Sequence, residues 1–353
     1  MESTLEGCYG LLHELNAFVL DDSANADYDS PPSSLTMFWS DVERNCDVPG
    51  PLRSHAACVG IGSSVWVFGG SDWQKCHSSI WHFDCGAFTL TETLDWMLVN
   101  HSGKPPSPRR AHSATFADGY ILIFGGGDDS SYLNDIHVFD TRSYKWFQPT
   151  VRGPPPYPRR AHTCSYHGGR LHIFGGGSAK GPLNDLHILD IHDPYNVSWT
   201  PTECKGNIPP ERGYHTANIV NDRLVVIGGG NGKHAFSDVY MLDIDTLTWR
   251  EVPLRERYAL LGHSSTHIGA ALLVFGGHDN YGYNNQILFF DLVGLRWEIH
   301  PVAGKKPSGR GSHQAWFYDS RLFIHGGFDG RRPLPDTCKL ELAGKAYIPL
   351  SNM

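Results

Sequence analysis

"PRRAHSATFADGYILIFGGGDDSSYLNDIHVFD" occupies Pro108–Asp140, and "PRRAHTCSYHGGRLHIFGGGSAKGPLNDLHILD" occupies Pro158–Asp190. The two stretches align over 33 residues without a gap, 50 residues apart. A period of that size belongs to architectures made of stacked units. The Gly-Gly pair that follows an apolar run recurs at Gly69, Gly125, Gly175, Gly228, Gly276 and Gly326, in steps of 56, 50, 53, 48 and 50 residues. Upstream of each pair stands a histidine: His55, His112, His162, His215, His263 and His313. Upstream of each histidine stands a tryptophan: Trp39, Trp96, Trp146, Trp199, Trp249 and Trp297. The Trp-to-His interval is 16 residues in five units and 14 before His263.

Each unit predicts four short strands. "AHSATFA" is the first, and the Asp118-Gly119 turn leads into the second, "YILIFGG". Consecutive apolar residues from Tyr120 to Phe124 suit a strand covered on both faces. "NDIHVFD" alternates as a third strand, and "KWFQPT" around Trp146 is the fourth. Four such strands cannot bury both faces alone, so the units must cover one another, as sheets arranged radially do. Glycine after the second strand lets neighbouring backbones approach, and the tryptophan fills the wedge between sheets.

A Gly-Gly pair after an apolar strand, an aromatic third strand and a tryptophan on the fourth resemble the kelch repeat. The resemblance covers about residues 35–345 and implies an all-β, six-bladed propeller. No tryptophan follows the last Gly-Gly pair, whereas Trp39 in "LTMFWSDV" has no Gly-Gly pair ahead of it. Residues 35–43 are therefore expected to supply the outer strand of the sixth blade, with "KAYIPL" (Lys345–Leu350) as the alternative. Ahead of the propeller, residues 1–34 form an extension: an amphipathic helix over 5–19 and an acidic linker over 20–34. Residues 346–353 are a tail.

A net charge of −8 argues against a nucleic-acid binder and gives no pull toward an anionic membrane. The eight cysteines show no CxxC and no regular spacing, which suggests reduced thiols. No secretory signal pattern or transmembrane run is present, so the expected compartment is the cytoplasm, with the nucleus left open. "GGGNGKHAFSD" (Gly228–Asp238) does not have P-loop spacing, and no GxGxxG opens a helix. The six repeated histidines are expected to be structural, buried and hydrogen-bonded to backbone, so neither metal nor cofactor is expected.

The resemblance admits enzymes and ubiquitin-ligase receptors as alternatives to a plain interaction platform. The iron motif ExxxDxxxH of plant specifier proteins fails here, because Glu43 and Asp47 are followed by Pro51. "TLEGC" (Thr4–Cys8) resembles the start of a BC-box, one residue short.

In a kelch propeller the start of the first strand and the loop after the second open on one face. Arg53, Arg110, Arg160, Arg212 and Arg310 lie just before the repeated histidines, and Leu260 and Leu261 replace them in the fifth unit. The loops add Trp73, Tyr132, Lys180, His278, Tyr281, Tyr283 and Phe328. These residue types dominate binding hot spots. Arginine before the first strand has a second possible role, pairing with the acid that opens the third strand: Asp135, Asp185, Asp238 or Asp336. The expected function is a non-catalytic protein-binding platform or adaptor. It would be monomeric within a larger complex, gripping an acidic segment or a C-terminal carboxylate of a partner protein.

Overall fold

A computed structural model describes residues 37–44, 48–86, 93–94 and 96–342. The expected helix over 5–19, the linker over 20–34, the BC-box-like Thr4–Cys8 and the alternative strand Lys345–Leu350 lie outside the described residues. What is described belongs to the unit beginning at Ser34 and is almost wholly β. No disulfide forms among the described cysteines.

Six antiparallel four-stranded sheets follow in chain order. Blade 1 is Ala56–Val59, Ser64–Phe68, Ile80–Asp84 and Trp96–Leu98, and blade 2 is Ser113–Ala117, Tyr120–Phe124, Ile136–Asp140 and Lys145–Phe147. Blade 3 is Thr163–His167, Arg170–Ser178, Gly181–Asp190 and Asn196–Thr200, and blade 4 is Thr216–Val220, Arg223–Ile227, Val239–Asp243 and Thr248–Glu251. Blade 5 is Ser264–Ile268, Ala271–Phe275, Ile287–Asp291 and Arg296–Glu298. Blade 6 is Gln314–Tyr318, Arg321–His325 and Thr337–Glu341, completed by Met37–Asp41 from the other end of the chain. Trp39 stands opposite Leu340 in that antiparallel pair, so the N-terminal strand closes the ring.

The second strands show why the apolar runs are unbroken. Ile121 and Ile123 pack toward blade 1 with Trp66, Phe68 and Trp146, while Leu122 and Phe124 pack toward blade 3 with Leu171, Ile173 and Trp199. Alternate side chains enter two different inter-blade cores, so neither face tolerates a polar residue. Trp146 is the wedge: its ring lies 5.3 Å from Phe68 of blade 1 and 4.8 Å from Phe139 of its own blade. Trp39 does the same at the closure, 5.3 Å from Phe275 of blade 5. At Gly69 (φ 66°), an added Cβ would lie 2.8 Å from the Arg109 carbonyl and from the His112 ring, so the pair is fixed by close blade-to-blade approach.

Around the axis the residue before each repeated histidine adopts a left-handed conformation: Ser54, Ala111, Ala161, Tyr214, Gly262 and Ser312. Their backbones hydrogen-bond in one closed circuit. Ala111 N donates to Ser54 O, Ala161 N to Ala111 O, Tyr214 N to Ala161 O, Gly262 N to Tyr214 O, Ser312 N to Gly262 O and Ser54 N to Ser312 O. The distances are 2.7 to 2.9 Å.

Candidate functional site

The arginines at the mouth divide into two sets by one residue of register. Arg109, Arg159, Arg212 and Arg310 are buried, at 0% or 1% exposure. Each lays two guanidinium nitrogens on an aspartate, at Asp135, Asp185, Asp238 and Asp336, and donates a third bond to a Gly carbonyl of its own blade. Burial raises the Asp135 and Asp185 pKa values, but bonds from Arg109 with His137, and from Arg159 with His187, outweigh it and hold both carboxyls well below their usual range. The expectation that Arg212 and Arg310 face a ligand is therefore corrected. Their forks are spent inside the blades, and no solvent reaches them. Leu260 is likewise core, packed with Val239, Leu272 and Trp297.

One residue later in the chain the side chain turns to the mouth. Arg53, Arg110 and Arg160 line one basin of about 260 Å³ with Leu261, His278, Tyr283 and Phe328. Isolated backbone bridges set this register, joining Arg53 to Ser71, Arg110 to Gly127, Arg160 to Gly177 and Leu261 to His278. Blades 4 and 6 place Gly213 and Gly311 at the corresponding bridges. Blades 1–3 thus give the basin a cationic side, and blades 4–6 an aromatic and aliphatic one. Arg110 pairs with the exposed Asp129 at 2.8 Å. Arg53 lies over the Phe328 ring at 4.8 Å and Arg160 over the Tyr132 ring at 4.7 Å, and neither has a carboxylate partner among the described residues.

The aromatic side is braced. Tyr283 stands edge-on to His278 and Phe328, at 5.0 and 5.8 Å, and a Cβ added at Gly311 would lie 2.8 Å from its ring. Trp73 extends that wall outward, 6.1 Å from Phe328 and 63% exposed. Tyr281 is fully open to solvent at the tip of its loop, and Lys180 lies over Tyr157, away from the basin lining. The rim loops are fixed by Asx turns: Asp72, Asp128, Asn231, Asp279 and Asp329 each accept backbone N–H bonds from residues two and three further on.

Tyr214 was not singled out by the sequence reading, yet it lines the basin and is 40% exposed. The signal was available: the residues before the six histidines are Ser54, Ala111, Ala161, Tyr214, Gly262 and Ser312, and one of them is large. The circuit of backbone bonds forms the basin floor, since Ser54, Tyr214, Gly262 and Ser312 also roof an axial chamber of about 120 Å³. The six repeated histidines line that chamber. All six are buried; His112 and His215 meet the expected backbone, at Phe68 and Phe174, while four of the six meet a hydroxyl of the preceding blade. His162 meets Ser113, His215 meets Thr163, His263 meets Thr216 and His313 meets Ser264, at 2.8 to 3.0 Å. The described residues contain no cluster of three or more His, Cys, Asp or Glu suited to a metal ion.

Residues 33–193, 87–260 and 196–352 match the model of the KLHDC2/KLHL20/DRC7 Kelch-repeats domain. Acyl-CoA-binding domain-containing protein 4 of Arabidopsis thaliana is 34% identical over 75% of this chain and 42% of its own length. Kelch domain-containing protein 3 of Homo sapiens is 33% identical over 80% of this chain and 65% of its own. The chain thus spans less than two thirds of the relatives it matches. Kelch-repeat propellers are generally protein-interaction modules. Six units, six blades and a family model that matches from residue 33 to residue 352 place this chain in the kelch-repeat family.

Proposed function

We propose that this propeller is a non-catalytic binding platform that holds an acidic or carboxylate-bearing segment of a partner protein in the mouth basin. One observation carries the reading: three guanidinium groups converge on one side of the basin, and two of them, Arg53 and Arg160, have no carboxylate partner among the described residues. A ligand carboxylate supplies what they lack, in a bidentate fork that lysine does not reproduce. Asp129 occupies Arg110 from an exposed loop, and an arriving carboxylate takes its place. The opposite wall of Leu261, Tyr283 and Phe328 receives an apolar side chain of the same segment.

The non-catalytic reading is supported by the family, since kelch-repeat propellers are generally interaction modules. Acyl-CoA binding, named for the Arabidopsis relatives, is not carried over, because the match covers less than half of those proteins.

The test uses a peptide library with free C-termini, its amidated counterpart and acidic internal sequences. The full chain should select carboxylate-bearing peptides. Arg110→Glu with Arg160→Glu should abolish that binding with the melting temperature within about 2 °C, and rising salt should weaken it, since exposed charges are screened over about 8 Å at physiological ionic strength. A double variant that still binds places the site elsewhere, and one that unfolds makes these arginines struts.

A further inference from the structure

The outer edges of the blades are not alike. In blades 2, 3, 4 and 6 the incoming connection lays a short parallel strand against the outer strand: Ser102–Gly103, Thr150–Arg152, Lys205–Gly206 and Val302–Gly304. Glu43–Arg44 pairs in the same parallel sense with Thr93–Leu94, just before the outer strand of blade 1. The four added strands share a pattern. Ser102 N donates to Tyr144 O at 3.0 Å, Thr150 N to Tyr195 O at 2.8 Å, and Lys205 N and Asn207 N to Leu247 O and Trp249 O at 2.9 and 3.0 Å. A glycine at positive φ covers the tryptophan of the outer strand: Gly103 on Trp146, Gly153 on Trp199, Gly206 on Trp249 and Gly304 on Trp39. A Cβ there would run into that tryptophan's carbonyl oxygen. A basic residue flanks each glycine, at Lys104, Arg152, Lys205 and Lys305.

Blade 5 has no such strand among the described residues, and its sheet ends at Arg296–Glu298. The connection due to supply one leaves Trp249 and is the shortened one, with no glycine before Gly262. Leu295 has φ 51°, as Leu247 does, so the receiving backbone is already in place. The carbonyls of Leu295 and Trp297, counterparts of Leu247 and Trp249, receive no backbone bond from the described residues of the connection. Instead a groove of about 470 Å³ separates Leu254, Arg255 and Glu256 from Leu295, Arg296 and Trp297.

We propose that the outer edge of blade 5 is a docking site for an extended segment of another protein. The segment adds as a parallel fifth strand, with a glycine over Trp297 and a lysine or arginine beside it. Strand addition takes its affinity from main-chain bonds and its specificity from the flanking side chains. The chain's own four examples define the occupant's chemistry. Arg296 is held by Asp291 and Glu298, whereas Glu256 and Arg255, both exposed on the groove wall, have no ion pair among the described residues, so Glu256 is open to the added base and Arg255 to an acid next to it.

The probe is the blade 6 strand itself as a free peptide, Ile299–Pro307, acetylated and amidated, added to the isotope-labelled full chain. Amide resonances of 294–298 should shift and saturate with a Kd of about 1 mM or tighter, and a peptide carrying Gly304→Val should bind at least about tenfold more weakly. The proposal is overturned by no shift at 294–298 up to about 5 mM peptide, by equal binding of the valine peptide, or by shifts confined to Phe38–Ser40. The last would mean that the peptide merely exchanges with the strand from which it was copied.

Discussion

Leu52 and Leu260 sit where the other four blades place a buried arginine, and Ser79 and Gln286 sit where those blades place its aspartate. The equivalence is fixed by backbone: Gly69 N donates to Ser79 O and Gly276 N to Gln286 O, as Gly125 N does to Asp135 O. Arginine and acid come and go together, so the pair behaves as one exchangeable unit within a blade. Arg159→Leu alone puts an apolar side chain in place of the fork and leaves Asp185 with His187 as its remaining side-chain partner. A broken buried pair costs about 3–5 kcal/mol, and because Asp185 is a third exposed the expected loss is nearer ~2–3 kcal/mol in urea unfolding. Adding Asp185→Gln, the arrangement of blade 5, should recover most of it. If the double variant is no better than the single one, the pair is not the unit.

The histidines set the pH response. Burial lowers His112, His162, His263 and His313 to about 3, and His55 and His215 well below their usual range. Between pH ~6.5 and ~3 the unfolded chain therefore binds more protons than the folded one, and stability falls on acidification by up to ~1.4 kcal/mol per pH unit for each histidine. The depressed aspartates add a second loss below about pH 4. Urea midpoints should fall steadily from pH 7 to 5, where carboxylates hardly titrate. A flat profile there would contradict the burial of the neutral imidazoles. The histidine ladder was plain in the sequence, but its hydroxyl partners were not. Residues some 50 positions apart meet only because adjacent first strands lie side by side.

At the level of strands, closure rests on Met37–Asp41, where Met37 and Trp39 are at 0% and 1% exposure. Burying each large side chain is worth about 1.5–3 kcal/mol, and an exposed edge invites association. A chain without residues 1–45 should melt far below one without residues 1–33, or aggregate. Equal melting temperatures would show that the closing strand is dispensable. This closure was legible because Trp39 keeps the interval of 16 residues to His55. The interval of 14 before His263 was equally visible. Its meaning was not, because a strand that lies on the next blade leaves no mark in its own unit.

Across the whole ring, six similar units produce a site that is not symmetric. Bridges that hold Arg53, Arg110 and Arg160 on one half hold Gly213, Leu261 and Gly311 on the other. Of the paired arginines in "PRRAH", the first serves shape and the second faces the mouth; the sequence reading took the second of each pair for the mouth, but also Arg212 and Arg310, which stand at the first position of their units. Neutralising Asp129 should strengthen carboxylate binding several-fold, since its contact with Arg110 must break when ligand arrives. The check is the affinity of Asp129→Asn for the selected peptides at low and high salt. Weaker binding would mean that Asp129 orients the arginine.

Closure by the N-terminal strand also has a consequence in time. Trp39 is made well before Leu340, the residue it faces. At roughly 5–20 residues per second, about 300 residues of synthesis separate them, an interval of some 15–60 s. For that period Met37 and Trp39 have no Thr337–Glu341 strand to pair with. Blade 6 therefore cannot close until the other five blades have been synthesised.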